Sequence, residues 1–286
     1  MKHFWTTFRY TFSWFRGQIL GWGLGIAALG LLIVAFFDVF FERQESFMKM
    51  IESYPPEFLV FFGGDASTLM TPEGYLGMYG FSLLPLIIGF FAVLAGSGLI
   101  AGDEERGRLD LIIAHPVGRS AFFFGRLLAF LGATMSILLL GWLGFCVLLG
   151  SSALEISWGE MALPFVSLLG QALIYGTLAL LLSQYLPARN LAAIVSGVLM
   201  VVGYMLSSLA ALNESLETVA RLFPYTYYQG SQAFNNFNLT WLLALLGVSA
   251  GMALIAWWRF VRRDIRLSGE GSFRLAIPFL PKRKTA

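Results

Sequence analysis

The sequence predicts an all-α integral membrane protein with six transmembrane helices. Hydrophobic residues make up 57% of its 286 residues and charged residues only 13%, whereas a soluble domain usually carries about 25% charged residues. A chain with so few charges cannot cover its surface in water, so it needs lipid around it. Six apolar stretches are long enough to cross a bilayer, which takes about 20 helical residues. Because these runs are continuous rather than alternating, a membrane β-barrel is disfavoured.

The six predicted spans form one transmembrane domain at residues 17–258. They are Gly17–Phe37, which continues to Phe41, and then Gly74–Gly102, Leu127–Leu154, Met161–Leu186, Asn190–Leu212 and Leu239–Trp258. Two longer loops, at about 42–76 and 213–239, lie on the predicted outer side. The second of these loops is rich in aromatic residues and proline, which favours a partly inserted or interfacial hairpin because aromatic rings prefer headgroup depth.

Residues 1–16 form a separate element ahead of the first span. Aromatic residues recur there at helical spacing with basic residues between them, at Phe4, Trp5, Phe8, Arg9, Phe12, Phe15 and Arg16. This pattern predicts an amphipathic helix in the cytoplasmic interface, with a simple extension of the first span as the alternative. At the other end, residues 259–286 form a basic cytoplasmic tail that is surface-bound or disordered.

The distribution of charge predicts the orientation. If the N-terminus is cytoplasmic and six spans alternate, all but three of the 19 Lys and Arg residues fall on the cytoplasmic side. The exceptions are Arg43, Lys49 and Arg221. Most of the acids fall on the outer side. Because cytoplasmic segments of membrane proteins are enriched in Lys and Arg, both termini are predicted to be cytoplasmic.

The segment 103–119, between the second and third spans, has the most informative pattern. Leu109 and Ile112 recur at helical spacing among charged residues, which predicts a short amphipathic helix at the inner face of the membrane. Asp103 is placed to cap the start of this helix and Pro116 to end it. An ordinary charged loop would also be short and cytoplasmic, so the order of the residues decides between the two interpretations.

That order resembles a motif that follows the second span in ABC type-2 permeases. The motif begins with paired glutamates and a glycine, continues with spaced aliphatic residues, and ends in Pro-[Val/Ile]-x-Arg. The matching positions here are Glu104, Glu105, Gly107, Leu109, Ile112, Ala114, Pro116, Val117 and Arg119. The resemblance also covers the amphipathic N-terminal helix, the six spans and the aromatic segment before the last span.

The resemblance implies that residues 103–119 are a coupling helix that docks into a cytoplasmic ATPase subunit. Glu104 and Glu105 would contact the ATPase electrostatically, and Gly107 would permit close approach. Leu109 and Ile112 would fill an apolar groove of the partner. Residues at the end of the motif would place the segment against the membrane, with Pro116 ending the helix and Arg119 at the lipid headgroups or paired with an acid.

The resemblance further implies a transporter built from two ATP-binding subunits and two permease copies, as a homodimer or a heterodimer. A Walker A loop needs a glycine directly before its lysine. No lysine of this sequence follows a glycine; the lysines are Lys2, Lys49, Lys282 and Lys284. We therefore expect this chain not to be an enzyme and to bind no cofactor, with ATP and Mg²⁺ held by the partner subunit. One cysteine and two histidines predict no metal site, and the small net charge of +2 predicts no nucleic-acid partner.

The middles of the spans are apolar, with few hydroxyl groups. A pathway for a hydrophobic or amphiphilic substrate, such as a drug, an antibiotic or a lipid, is predicted along Ser196, Tyr204, Ser207 and Ser208. The long outer loop resembles that of the drug- and antibiotic-exporting members. Glycines at every fourth position of the first span (Gly17, Gly21 and Gly25) permit close helix packing. Packing within the chain is favoured slightly over a dimer face.

Two other classes of function remain. An ATP-independent transporter or channel would need polar or charged groups at mid-span, which are scarce here. A non-transport membrane protein, such as an assembly factor or an intramembrane enzyme, would need a catalytic constellation, and none is found. The expected location is the cell membrane of a bacterium or archaeon.

Overall fold

The computed structural model describes residues 2–43, 55, 71–109 and 118–263. Six helices in this part of the chain are long and apolar enough to cross a membrane, so the predicted number of spans is confirmed. The spans are, in order, Arg16–Glu42, Pro72–Gly98, Arg119–Cys146, Trp158–Tyr185, Arg189–Ala210 and Leu239–Arg262. The end of the bundle near Arg16 and Arg262 is called the inner end and the opposite end the outer end, following the predicted topology.

The predicted boundary of the third span was wrong. The helix begins at Arg119 rather than at Leu127, because Arg119 and Arg126, which mark a loop in the sequence, find partners inside the protein. The second span ends at Gly98, and after a turn the chain continues as a short helix, Ala101–Glu105. The sixth span extends past Trp258, through Arg259 and Arg262 in its last turn.

The second span is irregular at its outer end. It begins as an α-helix, continues as a π-helix at Leu76–Phe81, and becomes a regular α-helix again at Leu84–Gly98. Pro85 lies in the first turn of that last part. Since proline has no N–H to donate, the carbonyl group one turn earlier loses its helical partner. Breaks of this kind within membrane helices need other donors.

Backbones of neighbouring spans approach closely at two glycines. A Cβ atom at Gly96 in the second span would lie 2.1 Å from the carbonyl oxygen of Gly176 in the fourth. A Cβ atom at Gly144 in the third span would lie 2.3 Å from the Cα atom of Ala27 in the first. The fourth span packs against the second, third, fifth and sixth and is the most buried of the six. It is therefore the central helix of the bundle.

The N-terminal helix runs over Lys2–Trp14 and is separated from the first span at Phe15. It packs against the third span, where Gly125 admits the backbone and side chain of the N-terminal helix. Trp5 and Trp14 are half exposed. The helix therefore lies along the bundle as an element of its own.

The loop at 213–239 is a series of helical turns rather than a simple hairpin. These turns are Glu214–Leu216, Glu217–Ala220, Pro224–Tyr227 and Gln232–Asn235. They pack against the outer ends of the fourth and fifth spans. Of the other predicted outer loop, residues 44–54 and 56–70 lie outside the described residues, as do residues 264–286 of the basic tail.

Candidate functional site

Three consecutive acids at the inner end each bind a different part of the bundle. Asp103 forms a salt bridge with Arg126 of the third span. Glu104 forms one with Arg263, which directly follows the sixth span. The carboxylate of Glu105 accepts a hydrogen bond of 2.8 Å from the backbone N–H of Arg189 at the start of the fifth span. These six residues are called the inner ionic cluster below.

Arg126 is buried within this cluster. Its guanidinium donates to the carboxylate of Asp103 and to the carbonyl oxygen of Leu99, and it lies 4.3 Å from the centre of the Phe122 ring. Leu99 lies where the second span ends. Since a buried charge is stable only when it is paired and hydrogen-bonded, Arg126 ties the third span to the end of the second.

The pair formed by Glu104 and Arg263 is more deeply buried, with 5% and 7% of the two side chains exposed. Arg263 donates to both carboxylate oxygens, across 2.9 and 2.6 Å, in the bidentate geometry that gives the strongest ion pairs. It also donates to the side-chain oxygen of Gln184 in the fourth span, across 3.1 Å. The short helix after the second span, the fourth span and the end of the sixth span therefore meet at one buried guanidinium.

Arg119 binds the end of the sixth span. It donates to the carbonyl oxygens of Val261 and Arg263, across 3.1 and 2.9 Å. The last carbonyl groups of a helix have no helical partner, so Arg119 caps the sixth span. This differs from both expected partners of Arg119, a lipid headgroup and an acid.

A left-handed turn follows the three acids. Gly107 has a φ angle of 63°, its N–H donates to the carbonyl oxygen of Glu104, and the N–H of Arg108 donates to that of Asp103. These two bonds form a Schellman motif, in which glycine is favoured at the left-handed position. Gly107 therefore ends the short helix, and this specific role was not predicted.

The structure corrects the expected exposure of several motif residues. Glu104 is buried and ion-paired within the chain, and Leu109 is 1% exposed within the hydrophobic core, so neither is presented to a partner. Asp103 lies inside the helix that begins at Ala101 and is not its cap. Among the described motif residues, Glu105 keeps an exposed side chain. Four further motif residues, Ile112, Ala114, Pro116 and Val117, lie outside the described residues.

Sequence reasoning missed Arg126, Gln184 and Arg263 as parts of this site. Arg126 lies 23 residues from its acid and Arg263 lies 159 residues from its own, so no local pattern joins them. An arginine inside an otherwise apolar helix is the signal that was available for Arg126, because such a charge requires a partner.

A cavity of about 260 Å³ opens at the outer end. It lies between the irregular part of the second span, the end of the fifth span and the loop at 213–239. Hydroxyl-bearing side chains contribute much of its lining; they are Ser82, Tyr204, Ser207, Ser208, Tyr225, Thr226, Tyr228 and Ser231. We call it the outer cavity.

Two tyrosines of the loop at 213–239 donate hydrogen bonds to the carbonyl groups at the break in the second span. The hydroxyl of Tyr228 donates to the carbonyl oxygen of Phe81, and that of Tyr225 donates to the carbonyl oxygen of Ser82, each across 3.1 Å. Phe81 lies four residues before Pro85, which has no N–H to offer it. Burial raises the pKa of Tyr225 and of Tyr228 well above the usual range, so both hydroxyls remain donors at neutral pH.

The structure brings together three of the four residues predicted to line a substrate pathway. Tyr204, Ser207 and Ser208 line the outer cavity, and the hydroxyls of Ser207 and Thr226 are 2.9 Å apart. Ser196 is fully buried further along the fifth span and is not among the residues that line the cavity.

The glycine repeat of the first span faces outward. Apart from the chain neighbours and the local backbone of the helix itself, no atom of the described residues lies within 4 Å of a Cβ added at Gly17, Gly21 or Gly25. The preference for packing within the chain was therefore wrong for these glycines. Packing within the chain uses Gly23 and Gly30 on the opposite side, which face Leu140 and Phe145 of the third span.

Comparison with known families identifies a match that covers most of the chain. Residues 7–261 match the family described as "Multidrug efflux system permease Rv1217c, C-terminal domain". The match includes the first five spans, the sixth span as far as Val261, the outer cavity, and every residue of the inner ionic cluster except Arg263. No curated protein matches the chain.

Proposed function

We propose, because this chain belongs to the multidrug efflux permease family, that it is the membrane-spanning subunit of an ATP-driven ABC exporter. It is a multi-pass protein of the cell membrane and a transport permease. The proposed substrates are hydrophobic or amphiphilic compounds that leave the cytoplasm or the inner leaflet. ATP and Mg²⁺ bind to a separate subunit.

The observation that carries this proposal is the attachment of the three acids to three different arginines. A partner that moves the segment after Gly107 would displace Asp103, Glu104 and Glu105 together. These acids bind the third span, the residue after the sixth span and the start of the fifth span. Force applied at one short segment would therefore reach most of the bundle through two salt bridges and one hydrogen bond. An ordinary loop between two spans would not need such connections.

The proposed orientation places the inner ionic cluster at the cytoplasmic face. Most Lys and Arg residues of the sequence fall on that side, as expected for cytoplasmic segments. The N-terminal helix then lies in the cytoplasmic interface, where its exposed Trp5 and Trp14 contact the headgroup region. The outer cavity opens on the opposite side, where a substrate leaves.

The proposed assembly contains two ATP-binding subunits and a second permease copy. The family resemblance assigns residues 103–119 to ATPase docking, and the part of this segment after Gly107 continues directly from the inner ionic cluster. The exposed face with Gly17, Gly21 and Gly25 is available to a second copy or to lipid, because small residues let helices approach closely.

Reconstitution tests the proposal. The chain is co-expressed with the ATPase encoded beside it, purified as a complex and inserted into liposomes that contain the fluorescent dye Hoechst 33342. We expect a stable complex that moves the dye only when ATP is hydrolysed, and a variant ATPase without its P-loop lysine should not support transport. Dye movement that continues without the ATPase would contradict the proposal and favour an ATP-independent transporter.

A further inference from the structure

The fourth span carries a buried polar stripe at its centre. Ser167, Gln171 and Tyr175 follow one another at four-residue spacing, which places them on one face of the helix. Their side chains are almost fully buried, with residue exposures of 1%, 0% and 1%. In the helix that is the most enclosed of the six, this face points into the bundle rather than toward lipid.

The outermost residue of the stripe, Ser167, has a hydrogen-bond partner, and the other two residues have none among the described residues. The hydroxyl of Ser167 accepts a hydrogen bond of 2.8 Å from the backbone N–H of Gln229. Neither the oxygen nor the nitrogen of the Gln171 amide has a hydrogen-bond partner among the described residues, and the same is true of the Tyr175 hydroxyl. Leaving such groups unpaired away from water costs about 1–3 kcal/mol each, so groups of this kind indicate a missing partner.

One of the two unsatisfied residues, Tyr175, lies next to the fifth span close to the outer cavity. A Cβ atom at Gly203 of the fifth span would lie 3.2 Å from the Tyr175 hydroxyl and 2.9 Å from the ring of Phe223. Gly203 precedes Tyr204, which lines the cavity. The inner end of the stripe on the fourth span therefore lies beside the predicted pathway on the fifth.

The surroundings define the chemistry of the missing partner. Residues 161–188, 190–213 and 239–258, which contain most of the fourth, fifth and sixth spans, have no Asp, Glu, Lys or Arg. A charged ligand group would have no counter-ion on these helices. Gln171 offers two N–H donors and one acceptor, and Tyr175 offers a hydroxyl that both donates and accepts. An amide, an ester carbonyl or a hydroxyl matches these groups.

We propose that Gln171 and Tyr175 form a binding site for the uncharged, hydrogen-bonding group of the substrate at the middle of the membrane. The proposal rests on the proposed transport function and adds to it a selection rule. The apolar part of a substrate contacts the surrounding aliphatic side chains, and its amide, ester or hydroxyl group binds Gln171 and Tyr175. Neutral amphiphiles are favoured over hydrocarbons of the same size.

Binding to the purified permease in lipid nanodiscs tests the site without ATP. The probes are 4-(1-pyrenyl)butanamide and 1-butylpyrene, which differ in the amide group, and the readout is energy transfer from tryptophan to pyrene above that of empty nanodiscs. We expect the wild type to bind the amide about tenfold more tightly than the hydrocarbon, as for one or two net hydrogen bonds. Gln171→Leu should remove this preference, and Tyr175→Phe should reduce it.

A matched control is Thr134→Val in the third span. Thr134 is fully buried, but its hydroxyl already donates to the carbonyl oxygen of Phe130, across 2.9 Å, so the amide preference should persist. Unchanged binding of 1-butylpyrene to each variant shows that the bundle remains folded. If Gln171→Leu and Tyr175→Phe keep the full preference for the amide, the site is wrong and ordered water is the better occupant.

Failure of the binding site and failure of the proposed transport function would give different results. If the preference depends on Gln171 but ATP never drives transport, the binding site stands and the ATP-driven exporter fails. If ATP-driven transport of the amide probe is intact in Gln171→Leu and its binding is unchanged, the exporter stands and the site fails.

Discussion

The hydroxyl of Tyr228 donates a 3.1 Å hydrogen bond to the carbonyl oxygen of Phe81, the atom that the missing N–H of Pro85 leaves without a helical donor. Tyr225 supplies the neighbouring carbonyl of Ser82 in the same way, because the N–H of Leu86 donates to Leu83 instead. The aromatic loop, more than a hundred residues away in the chain, therefore supplies the hydrogen-bond donors that the second span lacks at its break. The wall of the outer cavity depends on this relationship.

Removing the Tyr228 hydroxyl should destabilise the protein unless the helix regains its own donor. Tyr228→Phe leaves a buried carbonyl unpaired, at a cost of about 1–3 kcal/mol. In the double variant Pro85→Ala/Tyr228→Phe, residue 85 has an N–H for Phe81, so the loss should be smaller than for Tyr228→Phe alone. Unfolding in mixed detergent–SDS micelles measures both. Tyr10→Phe, on a side chain that is 68% exposed, is the control, and equal losses in the single and double variants would contradict this account.

The same tyrosines give an expectation for pH. Burial raises the pKa of Tyr228 and Tyr225 above the ordinary value, so folding favours the protonated hydroxyl. Their contribution to stability is then fully present below the unfolded pKa of about 10 and is lost as the pH rises above it. We expect a thermal midpoint that is unaffected by these groups between pH 6 and 9 and falls above pH 10. The fall should be smaller in Tyr228→Phe, and an equal fall in that variant would be evidence against the assignment.

The buried ion pair at the inner end predicts a large loss when one partner is removed. Glu104→Gln leaves the charge of Arg263 buried without its carboxylate, and breaking a buried pair of this kind costs about 3–5 kcal/mol. The double variant Glu104→Gln/Arg263→Gln should lose less than the sum of the two single variants, which a double-mutant cycle in SDS unfolding measures.

The matched control for this pair is Glu217→Gln. Glu217 pairs with Arg221 at 2.7 Å, but both side chains are more than half exposed, so the loss should stay below about 1 kcal/mol. A loss for Glu104→Gln as small as that for Glu217→Gln would show that the inner pair does not hold the bundle together. ATP-driven transport should fall together with stability only for the inner pair.

Hydropathy and charge were enough to predict the number of spans. Tyr204, Ser207 and Ser208, singled out as rare hydroxyl groups within the spans, line one cavity, whereas their role as a substrate pathway stays a prediction. The start of the third span was wrong because a window of sequence does not show that Arg126 is neutralised by Asp103. The expected exposure of Glu104 was wrong for the same reason, since Arg263 is distant in the chain. Gln171 and Tyr175 were missed, although two polar residues at four-residue spacing in an apolar span are a readable signal.

Replacing a glycine at a contact between two backbones by alanine should destabilise the protein. Replacing an outward-facing glycine by alanine should have little effect. Gly96→Ala places a methyl group against the Gly176 carbonyl, and backbone cannot rotate away as a side chain can. We expect a loss of about 1–3 kcal/mol, as for other overpacked cores. Gly25→Ala, with no described atom within 4 Å, should be neutral in monomeric nanodiscs. A neutral Gly96→Ala in SDS unfolding would contradict the close approach of the second and fourth spans.

The conformation at Gly107 sets the direction of the residues that follow it, which belong to the segment proposed to dock to the ATPase. At a φ angle of 63°, alanine costs about 1–2 kcal/mol, whereas asparagine adopts this conformation more readily. Gly107→Ala should therefore change the direction of the residues that follow and reduce the amount of co-purified ATPase, while Gly107→Asn should retain more of it. Gly118→Ala is the control, because Gly118 has an extended conformation with φ −60° and no described atom within 4 Å of the added Cβ. If Gly107→Ala and Gly118→Ala retain the ATPase equally, the conformation of this turn does not determine docking.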